Sequence, residues 1–340
     1  HSDNGIKFFG PDGYKLSDSV ELEIEALVSK GIGYVSPEDI GRAKRIDDGR
    51  YRYIERVKSS FPNQMRLDGL KVVIDCANGA GYKAAPEVLW ELGAEVIPVG
   101  VSPDGRNINL ECGSTSPTVA AETVVAHGAD LAICLDGDAD RVLIIDEYGR
   151  PIDGDQFLGM IGSRWFKNGN LVENTLVSTV MSNMRLEAFL KQEGIKLVRT
   201  SVGDRYVVER MRLNGFNLGG EKSGHVVMMD YATTGDGLMA GLQFLAEMVR
   251  TNEVASVVGR PFDLAPQKTE NITYAGDKNP LDHPSIKKII SESEKKISGF
   301  GRLLVRKSGT EKLIRIMVEA EDASVIDATM SPVVAAIKEL

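Results

Sequence analysis

The chain has 340 residues, 42% apolar and 26% charged, with a formal net charge of -9 and an isoelectric point near 5.2. That length exceeds one ordinary core and predicts several domains. The acidic balance argues against a general nucleic-acid binder and against a protein held on an anionic membrane, since both concentrate Lys and Arg. An anionic small substrate would need a local nest of cations. No apolar run of about 18 residues and no signal peptide is evident, so a cytoplasmic protein without membrane contact is expected. Cys76, Cys112 and Cys134 are far apart, no CxxC occurs, and the four histidines lack paired spacing. This predicts buried, reduced thiols and no zinc site.

In chain order, Ser17 is the expected N-cap of a helix through Val28, with acidic residues in its early turns. Gly31 to Gly49 is polar, punctuated by Gly and Pro, and reads as a connection. A β/α alternation follows. LKVVIDCANGAGYKAAPEVLWELGAEVIPV reads as strand, Gly-containing turn, helix and strand, and PTVAAETVVAHGA as a helix. AICLDGDADRVLIID then supplies two strands around an acidic tip. A similar unit comes next, with helices in DGDQFLGMIGSRWF, NMRLEAFLKQEG, DRYVVERMRLNG and GDGLMAGLQFLAEMVR. Its strands are TLVSTVM, KLVRTSV and the region from Gly219 to Asp230. The two units suggest a divergent repeat. After Pro261 a strand, a helix, two strands around RKSGTEKLIR and a last helix read as a small α+β domain.

Three segments carry chemistry. Asp136, Asp138 and Asp140, spaced by Gly137 and Ala139, are hard oxygen ligands suited to Mg²⁺ or Ca²⁺. In an extended loop, alternate residues project to one side, so all three would converge. Mg²⁺ would keep open positions for a phosphate, which Arg141 could also hold. An EF-hand would share this spacing and an acid at Glu147, but Arg141 stands where its turn needs Gly. A solvated acidic hairpin tip is the plain alternative, against which the mutual repulsion of the carboxylates counts.

GGEKSGHVV places Glu221, Ser223 and His225 on a Gly-rich bend, where Glu can accept from adjacent sugar hydroxyls; a simple polar turn would look similar. VRKSGTEKLIR sets Arg306 and Arg315 around Ser308, Gly309 and Thr310 in a turn between strands. That makes a phosphate cradle or, more plainly, a hairpin with solvated cations. It is not a Walker A loop.

Together, DGDADR, GEKSGH and RKSGTEKLIR resemble the metal, sugar and phosphate-binding loops of the α-D-phosphohexomutase superfamily. DCANGAGYKAAPEVLWELGAEV, NINLECGST, STVMSN and VGDRYVVERM are similar to its glucosamine-specific branch rather than to phosphomannomutase or phosphoglucomutase. The resemblance spans essentially the whole chain. It implies an α/β fold of successive phosphohexomutase-type domains around a central cleft, closed by a small C-terminal α+β domain. The expected divisions are 1–48 (the end of a first domain, and a linker), 49–149, 150–258 and 259–340. It implies Mg²⁺ held by Asp136, Asp138 and Asp140 together with a phosphoserine. Phosphoryl exchange would run through glucosamine 1,6-bisphosphate, interconverting glucosamine 6-phosphate and glucosamine 1-phosphate on the route to UDP-N-acetylglucosamine. The partner is thus a phosphorylated amino sugar, and a homodimer is compatible with the resemblance.

By the same resemblance, Lys7 would work as a general acid/base, for which neighbouring cations or burial would have to depress its pKa. Arg141 would stabilise the transferring phosphoryl oxygens. Asp204, Glu221, Ser223 and His225 would contact the sugar, with a structural hydrogen-bonding role equally open to Asp204 and His225. Arg306, Ser308, Gly309, Thr310 and Arg315 would grip the phosphate. Lys312 stands where the family usually has Pro, and Ser116 near a frequent His. The family's serine lies in an S-H-N-P loop just before the segment matching DNGIK. A chain starting at His1 is therefore expected to lack that serine and most of a first domain, roughly 100 residues, and to be inactive alone. Two other classes remain. One is a phosphatase of the haloacid-dehalogenase type, with Asp136 as nucleophile. The other is a non-catalytic sugar-phosphate binding module.

Overall fold

In the computed structural model, residues 7–31, 33–274, 279–308 and 312–339 are described. The chain forms two bodies. The first comprises residues 1–181 and 193–261, the second residues 182–192 and 262–340.

In the first body, α1 (Asp18–Lys30) and α2 (Gly49–Lys58) precede the alternating region. Ser17 occupies the N-cap position of α1, but its hydroxyl lies 2.9 Å from that of Ser19 and makes no cap bond. The first unit runs β1 (Lys71–Asp75), α3 (Ala84–Glu91), β2 (Glu95–Val99), α4 (Thr118–His127), β3 (Leu131–Leu135) and β4 (Val142–Asp146). Its sheet order is β2-β1-β3-β4, parallel except for the final antiparallel pair. The all-buried run LAICL is what a parallel strand covered on both faces demands. Val73, Cys134 and Ile145 pack under Ala120 and Val124 of α4.

After α5 (Gly154–Lys167) the pattern recurs: β5 (Thr175–Thr179), α6 (Met184–Glu193), β6 (Lys196–Thr200), α7 (Asp204–Asn214), β7 (Leu218–Gly220) and β8 (Val226–Met228). The order is β6-β5-β7-β8, again parallel but for the last pair. Val177 and Val227 pack under Val207 and Met211 of α7. The two units therefore share one topology, which the sequence only suggested. Each ends in a hairpin, and the acidic tip and the Gly-rich sugar-type loop are its equivalent tips. Helices α8 (Gly237–Thr251) and α9 (Ala255–Val258) complete this body.

In the second body, β9 (Gln267–Thr273), β10 (Gly301–Lys307) and β11 (Leu313–Ala320) form an antiparallel sheet with β11 central. Helices α10 (Pro284–Ile297) and α11 (Ser324–Lys338) cover one face, over Ile314, Ile316 and Val318. Most of α6 joins this body, although its sequence lies within the second α/β unit. Several contacts tie it there: Glu319, fully buried on β11, accepts from Arg302 and, at 2.8 Å, from the Met184 amide that opens α6, Asn183 exchanges bonds with Ala265, and Phe189 stacks on Phe262.

The three cysteines are free and buried, as expected. Burial pushes the Cys76 thiol up to about 12 and Cys134 well above its ordinary value, so these thiols stay protonated.

Asp146, the fully buried end of β4, accepts from the Tyr148 and Arg150 amides at 3.0 and 2.9 Å and lies 2.7 Å from Arg260. Burial works against its charge, but these partners outweigh it and hold the carboxyl below its ordinary value of 3.8. Its contribution is thus present above that value and lost as pH falls through the lower folded value. Asp146→Asn should destabilise the protein at pH 7 by about 3 kcal/mol, because Arg260 is left uncompensated. The deficit against wild type should shrink in thermal melts taken below about pH 4.

Candidate active site

Asp136 leaves the end of β3, and the chain turns at once. Ala139 adopts a left-handed conformation (φ 60°), and its amide donates to the Asp136 carbonyl at 3.1 Å. The loop is a tight turn, not the extended segment expected from alternation. Convergence still holds: one carboxylate oxygen from each of Asp136, Asp138 and Asp140 lies within 4.8 Å of the others.

Their environments differ. Asp136 is buried, accepts from the Arg141 amide at 3.0 Å, and is raised to about 6 by burial and by the charges of Asp140 and Asp138. Asp140 is held well below the usual carboxylate range: burial opposes its charge, but His225 and Lys7 prevail. Asp138 is about half exposed (51%). One buried oxygen of Asp140, Oδ1, has no hydrogen-bond partner. An orphaned carboxylate oxygen beside two further acidic oxygens suits a hard divalent cation. The residues therefore fit a hard divalent cation such as Mg²⁺, which Asp136, Asp138 and Asp140 would hold.

Lys7 Nζ donates to Asp138 and, at 2.8 Å, to Asp140. Burial lowers its pKa, but the two carboxylate bonds raise it further, so the net value lies above the ordinary one. The depressed pKa expected of a base is not what this arrangement produces, because its neighbours are anions rather than cations. The Arg141 guanidinium stands 3.6 Å from Asp136 and 3.8 Å from Asp140, with 47% of its side chain exposed.

The sugar-type loop meets this turn directly. Val142 donates to the Gly224 carbonyl at 3.1 Å, and Arg141 bridges His225 in antiparallel fashion. Within the loop, the Gly224 amide donates to the Glu221 carbonyl at 3.0 Å and the Glu221 amide to that of His225 at 2.9 Å. The Glu221 carboxylate accepts from the Gly203 amide at 3.0 Å, and Ser223 is exposed. His225 is only 3% exposed, with Nδ1 3.6 Å from Asp140. Its ring lies behind the Asp140 carboxylate. Asp204 begins α7 next to Gly203 and lines a cavity of about 920 Å³ with Asp12, Tyr14, Arg205, Arg212 and Thr233. None of the three acidic residues of the turn lines it.

Sequence reasoning missed the braces of both tips. Asp236 caps α8 by accepting from Met239 at 2.9 Å, which leaves the Gly237 amide to donate to the Ala139 carbonyl at 2.9 Å. Asp153 caps α5 in the same way, accepting from Asp155 at 2.9 Å. A Cβ at Gly154 would strike the Lys222 carbonyl, and one at Gly237 the Arg141 carbonyl. So the helix after each unit supports the other unit's tip, and only Gly fits there. The Asp-Gly pair ahead of both helices was the available signal.

In the second body, Arg306 and Arg315 sit directly opposite each other on β10 and β11, and Asn271 of β9 flanks Arg315. Ser308 is buried, its amide donating to Leu313 at 2.8 Å. Gly309 and Thr310 lie outside the described residues.

Models of the phosphoglucomutase/phosphomannomutase family match nearly all of this framework. Alpha/beta/alpha domain II matches residues 51–149, alpha/beta/alpha domain III residues 153–262, and the C-terminal domain residues 269–336. The chain belongs to the phosphoglucomutase/phosphomannomutase family. It is 64% identical over 336 residues to the phosphoglucosamine mutase of Ruegeria sp. (strain TM1040), covering 99% of this chain and 75% of that protein. It is 62% identical over 339 residues to that of Cereibacter sphaeroides (strain ATCC 17025 / ATH 2.4.3), covering 100% and 76%. Among solved structures, a phosphoglucomutase/phosphomannomutase family protein from Burkholderia thailandensis aligns at TM-score 0.75 and 19% identity, over 95% of this chain and 70% of that one. Aspergillus fumigatus N-acetylphosphoglucosamine mutase, in complex with GlcNAc-6P and magnesium, aligns at 0.68 and 19%, over 88% and 67%. At such identity these two structures establish the fold. Among the described residues, no helix is long and apolar enough to cross a membrane.

Proposed function

We propose that this chain carries the metal, sugar and phosphate sites of a mutase interconverting glucosamine 6-phosphate and glucosamine 1-phosphate. The observation that carries the reading is the lacing of the aspartate turn to the Glu221–His225 loop through Val142–Gly224 and Arg141–His225. Cation ligands and hydroxyl acceptors are thereby fixed side by side. The relatives' name, at 64% identity, selects the amino sugar.

Phosphoryl transfer depends mainly on positioning and charge neutralisation. Bound by Asp136, Asp138 and Asp140, Mg²⁺ supplies Lewis-acid stabilisation of the transferring phosphoryl oxygens. Arg141 adds a guanidinium beside the same carboxylates. Glu221 and Ser223 hold sugar hydroxyls. Arg306, Ser308, Arg315 and the loop of Gly309 and Thr310 hold a substrate phosphate. Lys7, doubly bonded to carboxylates, keeps its proton at Nζ and acts first as a cation; a role as base requires those bonds to be relieved. The phosphoryl group is exchanged with a phosphoserine, the donor implied by the family resemblance, through glucosamine 1,6-bisphosphate.

A coupled assay of the full-length enzyme tests this reading. The expected result is a higher kcat/KM for glucosamine 6-phosphate than for glucose or mannose 6-phosphate. Equal or better use of the latter two would move the chain to the phosphoglucomutase or phosphomannomutase branch. Net release of inorganic phosphate would favour a phosphatase.

A further inference from the structure

Asp75 closes β1 and is fully buried, yet no bound cation or substrate group is assigned to it. Its two oxygens go to two different loops. Oδ1 accepts from the Ala77 amide at 2.9 Å and Oδ2 from the Gly113 amide at 2.7 Å. Those loops are also joined directly, Asn109 donating to the Ala77 carbonyl at 2.9 Å. Each then reaches the aspartate turn. Ala80 donates to the Gly137 carbonyl and Ser114 to the Leu135 carbonyl, both at 2.9 Å. Leu135 and Gly137 are the two residues flanking Asp136. The carbonyls of both residues that flank Asp136 are therefore held by segments that one carboxylate ties together.

We propose that Asp75 is a positioning residue of the metal centre, setting the orientation of Asp136 through the 77–80 and 113–114 segments. The carboxylate suits the task because it accepts only, and both of its partners are donors. Asn in its place keeps one acceptor oxygen and turns an NH₂ toward the other amide, so one loop is released. Groups that orient metal ligands from behind typically cost about 10- to 100-fold in metal affinity when replaced.

The inference rests on the aspartate trio being the metal site, so the test separates the two. Mn²⁺ is titrated into wild type, Asp75→Asn and Asp146→Asn, with free Mn²⁺ read by electron paramagnetic resonance and stability by thermal melting. Asp146 is also a fully buried strand-end carboxylate, but it stands at the end of β4 remote from the turn. The expected result is Mn²⁺ binding by wild type, about tenfold weaker binding by Asp75→Asn, and unchanged binding by the destabilised Asp146→Asn. Equal affinity in Asp75→Asn and wild type would overturn the inference while leaving the metal site intact. No binding by wild type would remove the site itself.

Should Asp75→Asn not fold, Ala80→Pro replaces it. Ala80 opens a short 3₁₀ turn after an extended Gly79 (φ -108°, ψ -158°), a backbone Pro can adopt, and the substitution both removes the donor to Gly137 and sets the ring against that carbonyl, displacing the 77–80 segment from the turn. Weaker Mn²⁺ binding by this variant supports the inference; wild-type affinity contradicts it.

Discussion

In the full-length enzyme, Asp138→Asn should lower turnover of glucosamine 6-phosphate by about 10³-fold while leaving the melting temperature nearly unchanged. Asp138 is half exposed, so its replacement removes no core packing. It does remove one of three hard anionic ligands and one of the two carboxylates that hold Lys7. A neutral amide oxygen is a poorer ligand for a small divalent cation, and several kcal/mol of transition-state charge stabilisation depend on that cation. The checks are kcat across a Mg²⁺ series and a thermal melt. Near-normal turnover at saturating Mg²⁺ would count against Asp138 as a ligand.

In the full-length enzyme, Arg315→Ala should raise KM by about 30-fold with a smaller change in kcat, the equivalent of roughly 2 kcal/mol for one charge-assisted contact to phosphate. Stability should change little. Arg315 stands opposite Arg306 on a strand pair whose register and backbone ladder do not depend on either side chain. Arg315→Lys should recover only part of the affinity, because an ammonium cannot reproduce the two-pronged guanidinium contact. Steady-state kinetics with both variants decide the matter. An unchanged KM in Arg315→Ala would take this residue out of phosphate binding.

Much of the fold is legible in local pattern. LAICL and VLIID announce buried strands by continuous apolarity, and Gly128, Gly194 and Gly215 mark helix ends. The acidic turn, the sugar-type loop and the arginine hairpin are visible because each packs unusual chemistry into a few residues. What escapes is non-local. Ala139 takes a left-handed conformation with no Gly to announce it; the Gly237 amide, 98 residues later, holds its carbonyl. Lys7 meets its carboxylates 131 and 133 residues away, so the direction of its pKa shift could not be read from its neighbours in sequence. His225 stands in a Gly-rich bend whose sequence does not announce its burial beside the equivalent hairpin tip. The recurrence of one topology in the two units is likewise a property of strand pairing rather than of local pattern. The grouping of α6 with the second body rests on contacts such as Glu319 to the Met184 amide and Asn183 to Ala265, which no periodicity reveals.

Anomalous diffraction from crystals of this chain grown with Mn²⁺ addresses the aspartate turn directly. A peak bounded by carboxylate oxygens of Asp136, Asp138 and Asp140, with the Lys7 ammonium moved off them, is the predicted result. Full-length side-chain density with no peak there, and Lys7 still bonded to Asp138 and Asp140, would contradict it.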